Sequence, residues 1–136
     1  MERLLGKYEK SFGSPVAVLV SSKKGLKAQA VFDFMEISSF TAQFIERVLN
    51  RSIKTFLNYK EKKASLDAEI SEKLLKLFSL YDKGYSVFGS IEEFNKWMSE
   101  PAFGLGNQVP SELLDTITGI DLIGEELLRI EHGVLA

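Results

Sequence analysis

Apolar positions along most of the 136-residue chain recur at helical spacing. Leu4, Leu5 and Tyr8 begin such a pattern, but Gly13 and Pro15 interrupt it. Val16-Ala17-Val18-Leu19-Val20 is a short, uncharged, β-prone run with no helical period. It reads as a strand, as an edge that pairs with a second chain, or as a packed extended arm. Ser21-Ser22-Lys23-Lys24-Gly25 reads as a linker. From Leu26 the period is helical, with Ala28, Val31, Phe32 and Met35 on one face. Ser38-Ser39 breaks that run and offers an N-cap to a second helix carrying Phe40, Phe44, Ile45 and Val48 and ending near Asn50. Ser52 caps a third helix with Ile53, Phe56 and Leu57 inward and Lys54, Thr55, Asn58 and Tyr59 outward. Two short helices joined by a three-to-four-residue turn, the second with a polar outer face, fit a helix-turn-helix.

The strongest period spans Leu66, Ile70, Leu74, Leu77, Phe78, Tyr81, Tyr85 and Phe88, with Asp67 and Glu69 in its first turn, where the helix dipole favours acids. Gly84 marks a bend or an end within it. Gly89 closes this helix, and Ser90-Ile91-Glu92-Glu93 forms a capping box for the next, whose apolar face is Ile91, Phe94, Trp97 and Met98. Pro101 follows its end. Pro110 suits the first turn of a further helix bearing Leu113, Leu114 and Ile117, with Gly119 as its left-handed terminator. Gly104 and Gly106 supply backbone freedom in the corner between, and Asn107 tolerates a left-handed turn. A last helix turns Ile120, Ile123, Leu127 and Ile130 inward and stops at Gly133. The expected fold class is all-α.

Composition narrows the function classes. There is no cysteine, so disulfides and thiolate metal sites are excluded, and a single histidine argues against a His-based metal centre or catalytic relay. No cofactor is expected. No apolar run reaches the ~18 residues that span a bilayer, and the N-terminus lacks a signal-peptide pattern, so a cytoplasmic protein is expected. The net charge of −2 hides an uneven distribution. Residues 47–63 hold six basic side chains against one acid, whereas residues 64–136 hold thirteen acids against five bases. Two surfaces with different partners, or simply two solvated charged faces, account for this.

A family resemblance emerges from residues spread over the last fifty or so positions. They are Phe88-Gly89, Trp97, Pro101, Leu105-Gly106, Pro110, Leu113-Leu114-Asp115-Thr116, Gly119 and Leu128-Arg129-Ile130-Glu131-His132-Gly133. This pattern resembles the C-terminal domain of Xre/MbcA/ParS-type antitoxins of type II toxin–antitoxin pairs. Upstream, Ser52-Ile53-Lys54-Thr55-Phe56 and Ser65-Leu66-Asp67-Ala68-Glu69-Ile70-Ser71 resemble the family's Xre-like helix-turn-helix and the helix after it. Departures are Ala102 for the family's asparagine, Asn107 for its second turn glycine, and Asn58-Tyr59 for its paired arginines. Residues 1–24 fall outside the resemblance.

The resemblance implies an antitoxin, not an enzyme. Its partner is a RES-type toxin that consumes NAD⁺. The C-terminal domain and the last residues cover the toxin's cleft, operator DNA is a second partner, and the chain forms a homodimer. The implied organisation is an N-terminal arm at 1–24, a helix-turn-helix DNA-binding and dimerisation domain at 25–88, and a toxin-binding domain at 89–136. Toxin contacts fall on Leu105, Gly106, Asn107, Pro110, Arg129, Gly133, Val134, Leu135 and Ala136. Arg129 and His132 equally suit the negative end of a helix, and Val134-Leu135-Ala136 is either a plug with its carboxylate on a basic group or a frayed tail. Trp97, Leu113 and Leu114 are expected to be structural. DNA contacts fall on Arg51, Ser52, Lys54, Thr55, Asn58 and Lys60, with serine and threonine on phosphates or base edges, Asn58 on adenine, and the cations on the backbone. The alternative is a stand-alone helix-turn-helix transcriptional regulator with a dimerisation domain.

Overall fold

A computed structural model describes residues 2–133, which among themselves form eight α-helices and two 3-10 helices. In chain order they are α1 Glu2–Phe12, α2 Pro15–Lys24, α3 Gln29–Ser38, α4 Ala42–Leu49, α5 Ile53–Glu61, α6 Ala68–Phe88, α7 Ile91–Met98 and α8 Ile117–Glu131. The 3-10 helices are Phe103–Leu105 and Pro110–Leu113, between α7 and α8. The protein is all-α, as its periodicity predicts. Packing divides the chain into two units between Ser79 and Leu80, within α6; the sequence places a boundary at 88/89.

The first unit is built on Leu5, Tyr8 and Phe12 of α1, Ala30, Val31, Phe34 and Ile37 of α3, Ile45, Val48 and Leu49 of α4, Phe56 of α5, and Leu74, Leu77 and Phe78 of α6. Tyr8 stacks on Phe78 at 4.2 Å between centroids, and Phe34 meets Phe78 edge-on at 5.7 Å. Such pairs add about 0.5–1.5 kcal/mol each beyond area burial. The Leu66 amide donates to the Leu26 carbonyl at 2.7 Å, and the Leu26 amide to Ser71 Oγ at 2.9 Å, fastening the segment before α3 to the segment that enters α6.

Residues 14–25 differ from the extended arm and linker that the apolar run suggests. They form α2 and its cap. Ser14 Oγ accepts from the Ala17 amide, Pro15 occupies the first turn, where its missing N–H costs nothing, and Gly25 closes the helix at φ +89°. Val16, Leu19 and Val20 point to solvent, so the run has no inward period to read. In α3 the buried set is Ala30, Val31, Phe34 and Ile37, which leaves Phe32 and Met35 half-buried. The N-cap of α4 is Thr41, not the Ser38-Ser39 pair: Thr41 Oγ1 accepts from the Phe44 amide while Ser39 terminates α3 in the left-handed region. Leu57 lies outward and is 48% exposed, so Ile53 and Phe56 alone anchor α5.

A buried acid ties α1 to α3. Asp33 is 5% exposed, and it accepts from Lys7 Nζ at 3.0 Å, from Gln29 Nε2 at 2.9 Å and from the Tyr8 hydroxyl. Burial alone would raise its pKa, but the bonds from Tyr8, Gln29 and Lys7 outweigh burial and hold the carboxyl below its usual range. The Tyr8 phenol shifts the other way, upward, through burial first and then through its hydrogen bond to Asp33 and the Asp33 charge. A carboxyl with a folded pKa below the unfolded value stabilises the fold above that unfolded value, about 3.9, and loses its contribution as pH falls through the folded pKa. Asp33→Asn is therefore expected to lower the urea midpoint at pH 7, with the gap from wild type closing below about pH 4. An equal gap at pH 3 and pH 7 would show that the ionised form contributes nothing.

The second unit begins with the last two turns of α6. Tyr81, Ile91, Phe94, Met98, Leu114, Ile120, Ile123 and Leu127 form its core. Gly84 does not end α6, which runs on to Phe88. A Cβ there would stand 2.4 Å from the Phe94 ring, so the glycine lets α7 seat Phe94 directly on the helix. Ser90 Oγ accepts from the Glu93 amide at 3.1 Å and starts α7 as the capping box predicts. Trp97 is half-buried, stacked near Phe94 at 6.1 Å and Phe88 at 5.6 Å. Gly119 is not a left-handed terminator. It lies in the first turn of α8, whose N-cap is Thr116, and its bare Cα lets the Leu113 carbonyl approach.

Candidate functional site

The corner between α7 and α8 is a braced loop. After Pro101, the Ala102 amide donates to the Gln108 carbonyl at 3.0 Å and the Asn107 amide to the Ala102 carbonyl at 2.9 Å, so the loop folds back on itself as a short antiparallel pairing. Gly106 and Asn107 make the reversal, both left-handed, at φ +65° and +63°. Gln108 Nε2 donates to the Leu105 carbonyl at 3.1 Å, satisfying a loop acceptor. Gly106 and Asn107 are exposed at the tip, as a contact role requires, whereas Leu105 and Pro110 are buried and hold the loop from beneath. A Cβ at Gly104, whose φ is ordinary, would lie 1.8 Å from a Glu126 oxygen. This glycine serves close approach, not left-handed freedom.

Glu126 is 6% exposed, and its carboxylate accepts from Arg129 Nε at 2.8 Å. A buried carboxylate without a cation is costly, so Arg129 acts first as its counter-ion and as the fixture that holds it against Gly104. Farther along α8, Lys83 Nζ meets Glu131 Oε1 at 2.6 Å, and the Lys83 hydrogen bond holds the Glu131 carboxyl below its usual range. Gly133 then closes α8 at φ +74°, its amide on the Ile130 carbonyl. Val134, Leu135 and Ala136 lie outside the described residues.

Two features here carry no helical signal. Phe103 is 76% exposed, the most exposed large hydrophobic side chain among the described residues, and opens a one-turn 3-10 helix just beyond the base of the loop, too short for a period to show. Glu126 occupies an inward position of α8 that an acid rarely takes.

The α4–turn–α5 segment is the second candidate surface. Ser52 caps α5: its Oγ accepts from the Thr55 amide at 3.1 Å and lies 2.9 Å from Thr55 Oγ1, so both hydroxyls are engaged locally and Thr55 is half-buried. Glu46 of α4 reaches over and accepts the Ile53 amide at 2.7 Å. A carboxylate thus occupies the helix end that would otherwise attract a phosphate. Arg51 is paired to Asp67 at 2.9 Å, both exposed, a geometry worth about 0–1 kcal/mol and readily exchanged for another anion. Lys54 and Asn58 point outward. Lys60 is exposed with its ammonium 5.1 Å from the Phe32 ring centroid. Beside it, Lys27, Gln29, Tyr59, Lys60 and Lys63 line a cavity of about 270 Å³. Lys63 belongs to the basic 47–63 block, and Lys27 extends the basic surface beyond it.

Among the described residues no cluster of three or more His, Asp or Glu is arranged to hold a metal ion, and no helix is long and apolar enough to cross a membrane.

Residues 83–133 match the antitoxin Xre/MbcA/ParS C-terminal toxin-binding domain. A protein named Antitoxin Xre from Photorhabdus laumondii is 28% identical over 118 residues, covering 83% of this chain and 77% of that protein. A second Antitoxin Xre, from Yersinia enterocolitica, is 38% identical over 73 residues, 50% of this chain, which spans 47% of that relative's length. The braced corner and α8 both lie within the matched stretch. The class these features define is the antitoxin member of a toxin–antitoxin pair. Within it, residues 83–133 form a domain of the Xre/MbcA/ParS C-terminal toxin-binding type.

Proposed function

We propose that the protein neutralises a RES-type, NAD⁺-consuming toxin by seating its C-terminal unit over the toxin's active site, and that it represses its own operon through α4 and α5 as a DNA-binding helix-turn-helix. It acts by binding, with no chemical step of its own, as a cytoplasmic homodimer. The observation that carries this reading is the overlap of the toxin-binding domain match with a compact unit that begins at Leu80. A stoichiometric inhibitor needs a surface organised in advance, since each loop ordered on binding subtracts from affinity. The loop between α7 and α8 meets that need through its internal pairing and the Glu126–Arg129 brace. The RES type rests on the family resemblance. Co-expression with the product of the adjacent reading frame tests the reading: the toxic product arrests growth alone, and this protein restores it. Continued arrest with both proteins present would overturn the proposal.

For DNA, Lys54 and Asn58 are the outward side chains suited to backbone and adenine contact, with Lys60 beside them. Because Glu46, Ser52 and Thr55 are engaged at the α5 N-terminus, backbone contact by the lysines carries the larger share of affinity. Lys54→Ala with Asn58→Ala is expected to weaken gel-shift binding to the upstream DNA at least about tenfold and to reduce the salt slope by about 1. Unchanged binding by the double variant would remove α5 as the reader.

A further inference from the structure

We propose that Phe103 is the principal apolar anchor of the toxin interface, inserting into a basic-rimmed apolar pocket of the partner, with Leu122 of α8 beside the insertion. This inference rests on the antitoxin reading and adds to it a contact that neither the family pattern nor the terminal residues supply.

Its first support is exposure in a place built to hold the side chain still. Phe103 is 76% exposed, yet its loop is bonded to itself. The Ala102–Gln108 pairing closes the base, Gly106 and Asn107 fix the reversal, and Gly104 is held against the Glu126 carboxylate, itself fixed by Arg129 at 2.8 Å. A large aromatic left in water on a rigid loop is costly to the free protein and favourable only when something covers it. Aromatic side chains on rigid backbone recover binding free energy with little loss of conformational entropy.

The neighbouring surface gives the second support. Leu122, Glu126 and Arg129 follow i, i+4, i+7 along α8 and so share one stripe. Gly104 lies against the middle of that stripe, which places Phe103 one residue from it, and Leu122, 44% exposed, lies one turn before Glu126. Two exposed apolar residues thus lie close along the chain to a fixed ion pair: Phe103 next to Gly104, and Leu122 one turn before Glu126. Around them the chain is acidic: residues 80–133 carry ten acids against three bases, a net of −7 before histidine. An apolar centre within an acidic field fits a cavity whose rim is basic, as a cleft for a phosphate-bearing substrate is. The whole patch falls within residues 83–133, the stretch that matches a toxin-binding domain.

The test measures affinity of the full-length chain for the purified product of the adjacent reading frame. Phe103→Ala is expected to bind at least about thirtyfold more weakly, the range of an interface hot spot. Phe103→Leu retains most of the affinity, because the pocket asks for apolar volume. Leu122→Ala loses severalfold. Leu128→Ala serves as control: it removes an equally exposed leucine, 45%, about 120° around α8, and binds as wild type does. Thermal midpoints of all four stay near that of wild type, since each side chain is exposed. Wild-type affinity in Phe103→Ala, or equal losses in Phe103→Ala and Leu128→Ala, overturns the anchor and leaves the antitoxin reading standing. No binding by the wild-type chain overturns both.

Discussion

Gly119→Ala is expected to lower the thermal midpoint by roughly 10 °C, the largest stability loss of any single methyl addition considered in α8. A Cβ at 119 would stand 1.8 Å from the Leu113 carbonyl oxygen and 2.8 Å from its carbon. The obstacle is backbone, held by the 3-10 helix Pro110–Leu113 and the Thr116 cap, so no side chain can rotate away. Overpacking of this kind costs about 3 kcal/mol, against a helix-propensity gain for alanine of about 1 kcal/mol. Gly124, five residues on in the same helix, has nothing within 4 Å of its Cβ position. Gly124→Ala is therefore expected to stabilise by up to about 1 kcal/mol. Thermal melts of the two variants decide between close approach and propensity. Equal midpoints would contradict the packing described here.

Deleting Val134–Ala136 is expected to weaken neutralisation by roughly two orders of magnitude in affinity while leaving the melt unchanged. Seating a valine and a leucine in a partner's pocket recovers about 1.5–3 kcal/mol each. On the chain's own side the helix before the tail is already secured, by Lys83–Glu131 at 2.6 Å and by the Gly133 cap, so the deletion removes no described contact. Growth of cells co-expressing the toxic neighbour with full-length or shortened protein reads the effect. Full rescue by the shortened chain would confine inhibition to the braced corner and α8.

Helices with one apolar face and a side-chain cap are legible without coordinates: α5 and α7 follow from stripes such as Ile91/Phe94/Met98 and from Ser52 and Ser90, and the end of α8 from Gly133, whereas the caps that start α4 and α8 are Thr41 and Thr116. Helix α2 is not, because Val16, Leu19 and Val20 face outward while Ala17 and Val18 are half-buried, and a run apolar on both sides has no period. Glycines mislead in a different way. Gly106 and Gly133 take positive φ as their turns demand, but Gly84, Gly104 and Gly119 are needed because Phe94, Glu126 and Leu113 press on them. Those contacts depend on tertiary approach, which no local pattern encodes.

The candidate site was legible to the same degree. The family-like residues Leu105 and Pro110 shape the corner from inside, Gly106 and Asn107 form its surface, and Arg129 is committed to Glu126. On α5, Ser52 and Arg51 are occupied by Thr55 and Asp67, which hydrogen-bonding geometry alone reveals. Phe103 and the buried Glu126 escaped a reading based on spacing, because one sits in a loop and the other places a charge where the helical pattern expects an apolar side chain.

The most direct measurement is an activity titration: NAD⁺ consumption by the purified product of the adjacent reading frame, followed as this protein is added. The account predicts a linear fall to zero at a fixed molar ratio, with Phe103→Ala shifting the curve to much higher concentration. Consumption that continues undiminished in molar excess of the wild-type chain would contradict it.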